Sequence, residues 1–379
     1  MNSRKHSRQQ GAVSLFIVMF TALLLTIITV SFVQLMVKDQ QQATYSDLSE
    51  SAYDSAMAGV EDAKRALLMR LDCDGLSTTE CDRVNSAFSD SDKKCTTLSE
   101  TFGGSVTDGE TAIQQNNSSD DRKLDQAYTC VKITPDTTNF IGKIESSETA
   151  TLIPLRSTEP FNRIVVKWHQ REGGGAVNRT SSTDLPAAEA WPANRPALLR
   201  AQLINGKNSF SLSDLDNSGY SNALFLYPSS SAAGATRVLP LNFVLDARRG
   251  GASPHPVLCR ATVASGDYAC EVAITIDTNP SVVIPGGSQT AFLNLIAFYN
   301  ATDFQVELLN NNSLVKFEGV QPEVDSTGRA NDLFRRVISR VELNNTFRYP
   351  VAALETRDNL CKHFTVTTNG SDYSNACAP

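Results

Sequence analysis

"AVSLFIVMFTALLLTIITVSFVQLMV", residues 12–37, contains no charged side chain, and its reading decides the fold. At 1.5 Å per residue, about 20 apolar residues in a helix cross the ~30 Å hydrocarbon core of a bilayer. A cleavable secretory signal has an apolar core of only about 7–15 residues followed by a small-residue cleavage site. This run is longer, and Lys38 and Asp39 follow it directly. Residues 12–37 are therefore expected to form a transmembrane helix. Residues 1–11 are a basic leader carrying Arg4, Lys5 and Arg8, and the sequence beyond the run is net acidic. The positive-inside rule then puts the N-terminus in the cytoplasm and the body outside, in a single-pass inner (cytoplasmic) membrane protein.

The helical pattern continues past the apolar run. Through residues 38–72, Tyr45, Leu48, Ala52, Ala56, Gly59 (or Val60), Ala63 and Leu67 recur at three or four residues among Ser, Asp, Glu and Lys. No proline occurs before Arg70, and Asp72 with Gly75 supplies a stop. The spacing predicts one helix from Ala12 to Leu71, on the order of 90 Å long. Its first half is apolar all round, and its second half is amphipathic and must pack on something.

The chain has 379 residues, enough for an anchor plus one or two globular units, and its formal charge is −7. A net-acidic body argues against nucleic acid as a partner. All eight cysteines, Cys73, Cys81, Cys95, Cys130, Cys259, Cys270, Cys361 and Cys377, follow the apolar run. No CxxC pair is present, and apart from the isolated Cys361 and His363 no histidine is placed at ligand spacing beside the cysteines, so disulfides in an oxidising compartment are favoured over zinc. "CRATVASGDYAC" reads as a hairpin bridged from Cys259 to Cys270. Cys361 and Cys377 would tie down the C-terminus, and the four N-terminal cysteines could pair locally.

Residues 73–127 are polar, with few large apolar residues, and read as a loop region pinned by disulfides, with room for short helices. Residues 128–379 turn to strand patterns such as "YTCVKIT", "FNRIVVKWHQ", "TAFLNLIAFYN" and "FQVELL", separated by turn signals. In "FQVELL", Phe304, Val306 and Leu308 alternate, as in a sheet with one solvated face. The expected class is α+β: a long N-terminal transmembrane and amphipathic helix carrying a disulfide-rich, mainly antiparallel β head. A division of the head is expected near the proline-rich residues 185–197.

A basic leader ending in Gly11, an apolar half-helix and an amphipathic half-helix bearing a head resemble the type IV pilins. Within them, residues 11–67, and "SESAYDSAMAGVEDAKRAL" in particular, are most similar to the PilX type of minor pilin. The resemblance covers residues 1–71 and leaves the head aside. It implies that prepilin peptidase cuts between Gly11 and Ala12, and that the helix enters a pilus with Leu15, Phe16, Ile17, Phe20 and Leu24 in the fibre core. Its implied partners are other pilins, the peptidase, the inner-membrane pilus assembly machinery, the membrane and a surface ligand. Shaft pilins carry Glu at the fifth mature position, whereas here Phe16 stands there. A buried carboxylate in hydrocarbon is costly unless paired, so its loss suits a subunit near the tip that primes assembly or adheres. The alternative is an uncleaved, signal-anchored extracellular adhesin or receptor-like surface protein.

No HExxH, GxSxG, Walker or GxGxxG motif occurs, so no enzyme activity and no cofactor are expected; a triad assembled from distant residues stays open. "DLDNSG" places Asp214 and Asp216 like the start of a calcium loop, but Phe225 stands at the closing Glu position, and a β-turn is the favoured reading. His169 is expected on a strand, facing solvent or paired. Trp168 and Trp191 are expected to be buried, and the basic "FRRVISR" to pair with acidic residues across a sheet.

Overall fold

The computed structural model describes residues 10–103, 109–113, 125–145, 150–181, 185–205, 221–231, 241–243 and 254–343. Helix α1 (Gln10–Leu71) is a single helix of 62 residues, about 93 Å at 1.5 Å per residue. Ala52, Ser55, Ala56, Gly59, Val60, Ala63, Ala66 and Leu67 are buried along one stripe, the three-and-four spacing of a helix face. The expected stripe begins later than its sequence pattern: Tyr45 is 65 % exposed, and packing starts around the half-buried Leu48.

That stripe packs on a four-stranded antiparallel sheet ordered β1 (Thr111–Ala112), β2 (Gln126–Thr137), β16 (Phe317–Ala330) and β17 (Leu333–Arg340). Helix and sheet approach closely because both present small residues. A Cβ at Gly328 would collide with the backbone of Ala52 and Ala56, and one at Gly59 with the Ser326 hydroxyl. The polar segment after α1 contributes α2 (Thr78–Ala87) and α3 (Thr97–Phe102). A reciprocal Ser77–Glu80 capping box starts α2. Val84, Phe88 and Leu98 join Val60, Leu67, Val131, Ile133 and Val324 in one core. This region is too poor in apolar residues to form its own core and so completes that of α1. Cys73–Cys81 and Cys95–Cys130 hold it, the second tying it to β2.

A second core lies in a β-sandwich inserted between β2 and β16. One sheet is ordered β10 (His255–Leu258), β8 (Ser221–Ser229), β7 (Leu198–Asn205), β13 (Ala291–Phe298) and β4 (Ala150–Pro154). The other is β15 (Ser313–Val315), β14 (Thr302–Asn310), β5 (Arg163–Gln170), β12 (Tyr268–Thr275) and β9 (Leu241–Asn242), with β3 (Asn139–Ile144) also paired to β14. Most pairings are antiparallel; β10 on β8 and β9 on β12 are parallel. A short ribbon pairs β6 (Gly175–Ala176) with β11 (Thr262–Val263). Leu199, Leu203, Leu226 and Leu293 from the first sheet share a core with Ile164, Val166, Trp168, Phe304 and Val306 from the second. In β14, Phe304, Val306 and Leu308 are buried while their neighbours are half-buried, the expected alternation. Cys259 and Cys270 are bridged, as the hairpin reading anticipates.

No boundary falls at residues 185–197. Strands from before that segment pair with strands after it in both sheets: β4 with β13, and β5 with β12 and β14. The segment instead covers the first sheet's outer face. Trp191 stacks on Tyr299 with ring centroids 4.1 Å apart and meets Tyr227 edge-on at 5.7 Å. Trp168 and Trp191 are both buried, as expected. The helix–sheet packing and the sandwich have separate cores within one compact unit, and the chain passes between them at Thr138 and Lys316.

Gln321 clamps that crossing. Its side chain accepts from the Ile141 N–H (3.0 Å) and donates to the Ile141 carbonyl (2.8 Å), imitating a strand pair while only 3 % exposed. β16 changes register between Glu318 and Glu323, where Gly319 takes φ 61° and donates its N–H to Asp136. A bulge there lets one strand serve both units.

Two predictions follow from this packing. Gly328→Val forces α1 off β16 and is expected to lower stability by about 2–3 kcal/mol, the usual cost of overpacking; urea unfolding of the full chain measures it. Gln321→Leu orphans both backbone groups of Ile141, a loss of about 1–3 kcal/mol. Hydrogen exchange should then show faster exchange at the Ile141 amide than in wild type.

Candidate functional site

The N-terminal half of α1 is packed against no other described element. Between Ser14 and Val37 every described side chain is exposed; Phe16 is 75 % accessible, and Leu15, Ile17, Phe20 and Leu24 are exposed with it. Hydroxyls in this stretch are satisfied within the helix: Thr21 donates to the Ile17 carbonyl (2.9 Å), Thr26 to Leu23 (2.8 Å) and Ser31 to Ile27 (2.9 Å). Thr29 bonds in the same way to Leu25. Back-bonding of this kind lets a hydroxyl sit in an apolar surrounding without an orphaned donor. α1 is thus long and apolar enough to cross a membrane. Gly11 and Ala12 lie in its first turns.

Where α1 leaves the sheet, a cleft of about 910 Å³ opens between Val37–Leu48 of the helix and the β16–β17 turn. Arg329 and Asp125 contribute to its lining. Arg329 donates to Glu110 (2.6 Å), to Asp125 (2.7 Å) and to the Asn331 carbonyl (3.0 Å). Hydrogen bonds to Glu110 and then Asp125 hold the guanidinium firmly charged. The same bond from Arg329 keeps the Asp125 carboxyl below the usual carboxylate range. The bridge joins the strand end of β16 to the two segments flanking residues 114–124, so the lower end of the sheet is fixed.

"FRRVISR", in β17, behaves as expected in part. Arg336 pairs with Asp325 and Arg340 with Glu323 across the ladder, whereas Arg335 bonds to Ser49 on α1. Tyr128 provides a second tie between helix and sheet, its hydroxyl donating to Asp62 Oδ2 at 2.8 Å. Burial pushes the Tyr128 phenol up to about 12, and the bond to Asp62 acts in the same direction.

Of the predicted site residues, the structure brings Leu15, Phe16, Ile17, Phe20 and Leu24 onto one helix. It forms three disulfides, Cys73–Cys81, Cys95–Cys130 and Cys259–Cys270. Cys361, Cys377, Asp214, Asp216 and the leader up to residue 9 lie outside the described residues. His169 departs from expectation: its Nε2 is buried without a hydrogen-bond partner. No local sequence signal marks that state, nor the left-handed backbone that His169 takes at the end of β5. No protein-family model matches this chain, and no curated protein matches it.

The raised Tyr128 phenol gives a pH signature. The folded state holds this proton more tightly than the unfolded chain, so its contribution is complete below pH 10 and fades between 10 and about 12. Tyr128→Phe should flatten that part of the alkaline unfolding profile, which circular dichroism against pH would record.

Proposed function

We propose that the protein is a minor pilin of a type IV pilus, inserted through the inner membrane, cut by prepilin peptidase between Gly11 and Ala12, and drawn into the fibre near its tip. The observation that carries this reading is the two-part nature of α1. Its first half offers an uncharged apolar surface on all sides with no partner among the described residues, and its second half is built into the head through small residues. A helix meant only to anchor needs neither continuity with a packed head helix nor a fixed angle to it. A helix meant to pack among identical helices needs both, because the head position then follows from the helix position.

Phe16 supports a tip position. At the fifth residue after the proposed cut, a phenyl ring needs no partner ahead of it, whereas a carboxylate in an apolar fibre core would. In the fibre, Leu15, Ile17, Phe20 and Leu24 pack against neighbouring pilin helices. The sandwich inserted between β2 and β16 then projects as an extra module for priming assembly or for adhesion.

Replacing Gly11 with leucine tests the reading. A bulky side chain blocks close approach at the scissile bond. The expected outcome is full-length precursor retained in membranes and absent from sheared filaments, read by immunoblot. Unchanged mass and distribution would favour the uncleaved surface adhesin instead.

A further inference from the structure

β17 (Leu333–Arg340) ends the helix-bearing sheet, and no described strand lies on its other side. Its register decides which backbone groups are left over. A two-residue turn, Asn331 and Asp332, closes the β16–β17 hairpin on the pair Ala330–Leu333. Ladder bonds in such a hairpin fall on every second pair, here Gly328–Arg335, Ser326–Val337 and Val324–Ser339. The N–H and C=O groups of Phe334, Arg336, Ile338 and Arg340 therefore point outward, and none of them bonds to a described residue.

The strands that end the two sandwich sheets are shorter: β10 has four residues, β4 five, β15 three and β9 two, against eight in β17. Proteins blunt exposed edges with short strands, prolines, bulges or outward charges. β17 contains no proline, and its pairing with β16 runs without a register shift. Its charges are turned inward onto the sheet and the helix: Arg336 pairs with Asp325, Arg340 with Glu323, and Arg335 donates to Ser49 of α1 (2.8 Å). Arg335 and Val337 face the helix side, so the alternation of a strand puts Phe334 and Ile338 on the opposite face, where they are 55 % and 57 % exposed.

A row of unpaired N–H and C=O groups at strand spacing is complementary to an extended peptide strand that adds to the sheet. Side chains beside the row narrow the choice of strand. On the outer face an added strand meets Phe334 and Ile338, and apolar residues there cover them. On the helix side it meets Arg335, whose guanidinium donates to the neutral Ser49 hydroxyl and has no carboxylate partner among the described residues. A carboxylate directly opposite supplies the countercharge, as cross-strand pairs do.

A second copy paired antiparallel through the same edge does not fit. The free half of α1 projects from the Leu333 end of β17, where Val37 and Leu48 line the cleft beside the β16–β17 turn. A two-fold pair of β17 edges would send the two apolar halves to opposite ends, which neither one membrane nor one fibre accommodates. We propose that β17 is a docking edge for an extended segment of another protein, a strand with a carboxylate opposite Arg335 and apolar residues beside Phe334 and Ile338. Only the exclusion of a second copy rests on reading α1 as a helix that enters a membrane or a fibre.

The test uses the full chain in detergent and peptides about ten residues long that alternate valine and threonine, with Glu, Gln or Lys at one central threonine position. In the chain alone, hydrogen exchange should be fast at the Phe334, Arg336 and Ile338 amides and slow at Arg335 and Val337, which bond to β16. The Glu peptide should protect the three fast amides and bind about fivefold more tightly than the Lys peptide, the size of effect an exposed charge pair gives. Ile338→Pro removes an outward N–H and leaves the ladder to β16 in place, so binding should weaken about tenfold or more while Arg335 and Val337 stay slow. Arg335→Glu keeps the edge and should reverse the order of the Glu and Lys peptides. Slow exchange at the three amides in the chain alone would mean that the edge is already covered, and protection that rises with protein concentration would put a second copy there; either overturns the proposal. No binding by any peptide at about 1 mM, equal binding of the Glu and Lys peptides, or unchanged binding by Ile338→Pro with its ladder intact would overturn it as well. None of these readouts depends on cleavage after Gly11, so a failure here and a failure of the pilin reading are told apart.

Discussion

Gly328 of β16 lies against the backbone of α1 at Ala52 and Ala56, and Gly59 of α1 lies against Ser326 and Val131. Neither position has room for a Cβ. The rest of the helix–sheet unit depends on this approach: it sets the height of α1 over the sheet and puts Tyr128 within reach of Asp62 and Arg335 within reach of Ser49. A helix seated so closely cannot roll or slide without losing several contacts together, so its free N-terminal half projects at an angle that the head determines.

The same sheet carries an unusual burden. β2 and β16 are neighbours in it, yet the whole sandwich lies between them in sequence. Two chain crossings join them, and at the Gly319 bulge and the Gln321 clamp the Gly319 N–H and both Ile141 backbone groups find side-chain partners as β16 passes from one sheet towards the other. An insertion at this point leaves the helix packing untouched while adding a second core.

Much of this was legible in the sequence. The uncharged run and the spacing of Ala52, Ala56, Ala63 and Leu67 give α1 nearly to the residue, and the short interval between Cys259 and Cys270 gives their bridge. The sequence hides β16, although it is the longest strand among the described residues and a central strand of the helix-bearing sheet. Its helix-facing positions include Ser326, Gly328 and Ala330 because the helix is so close, which erases the apolar alternation that marks a strand; Pro322 and Gly319 at the bulge suggest a loop. β7 is hidden behind the prolines of residues 185–197, which read as a linker because nothing local shows that Trp191 has Tyr227 and Tyr299 to cover. Tyr45 misleads in the opposite sense, continuing the helix periodicity past the edge of the sheet. The His169 N–H bonds to Thr302 Oγ1, distant in sequence, and its left-handed backbone has no local signature.

These features describe a protein whose helix does two jobs at its two ends and whose head carries a module beyond what holds the helix. They fit the processed fibre subunit that we propose better than a stationary anchor. The direct measurement is the N-terminal peptide mass of the protein in sheared appendages and in washed membranes from the same cells. The account predicts a peptide starting at Ala12 in the sheared fraction. A peptide that begins at Met1, with all of the protein in the membranes, would contradict it.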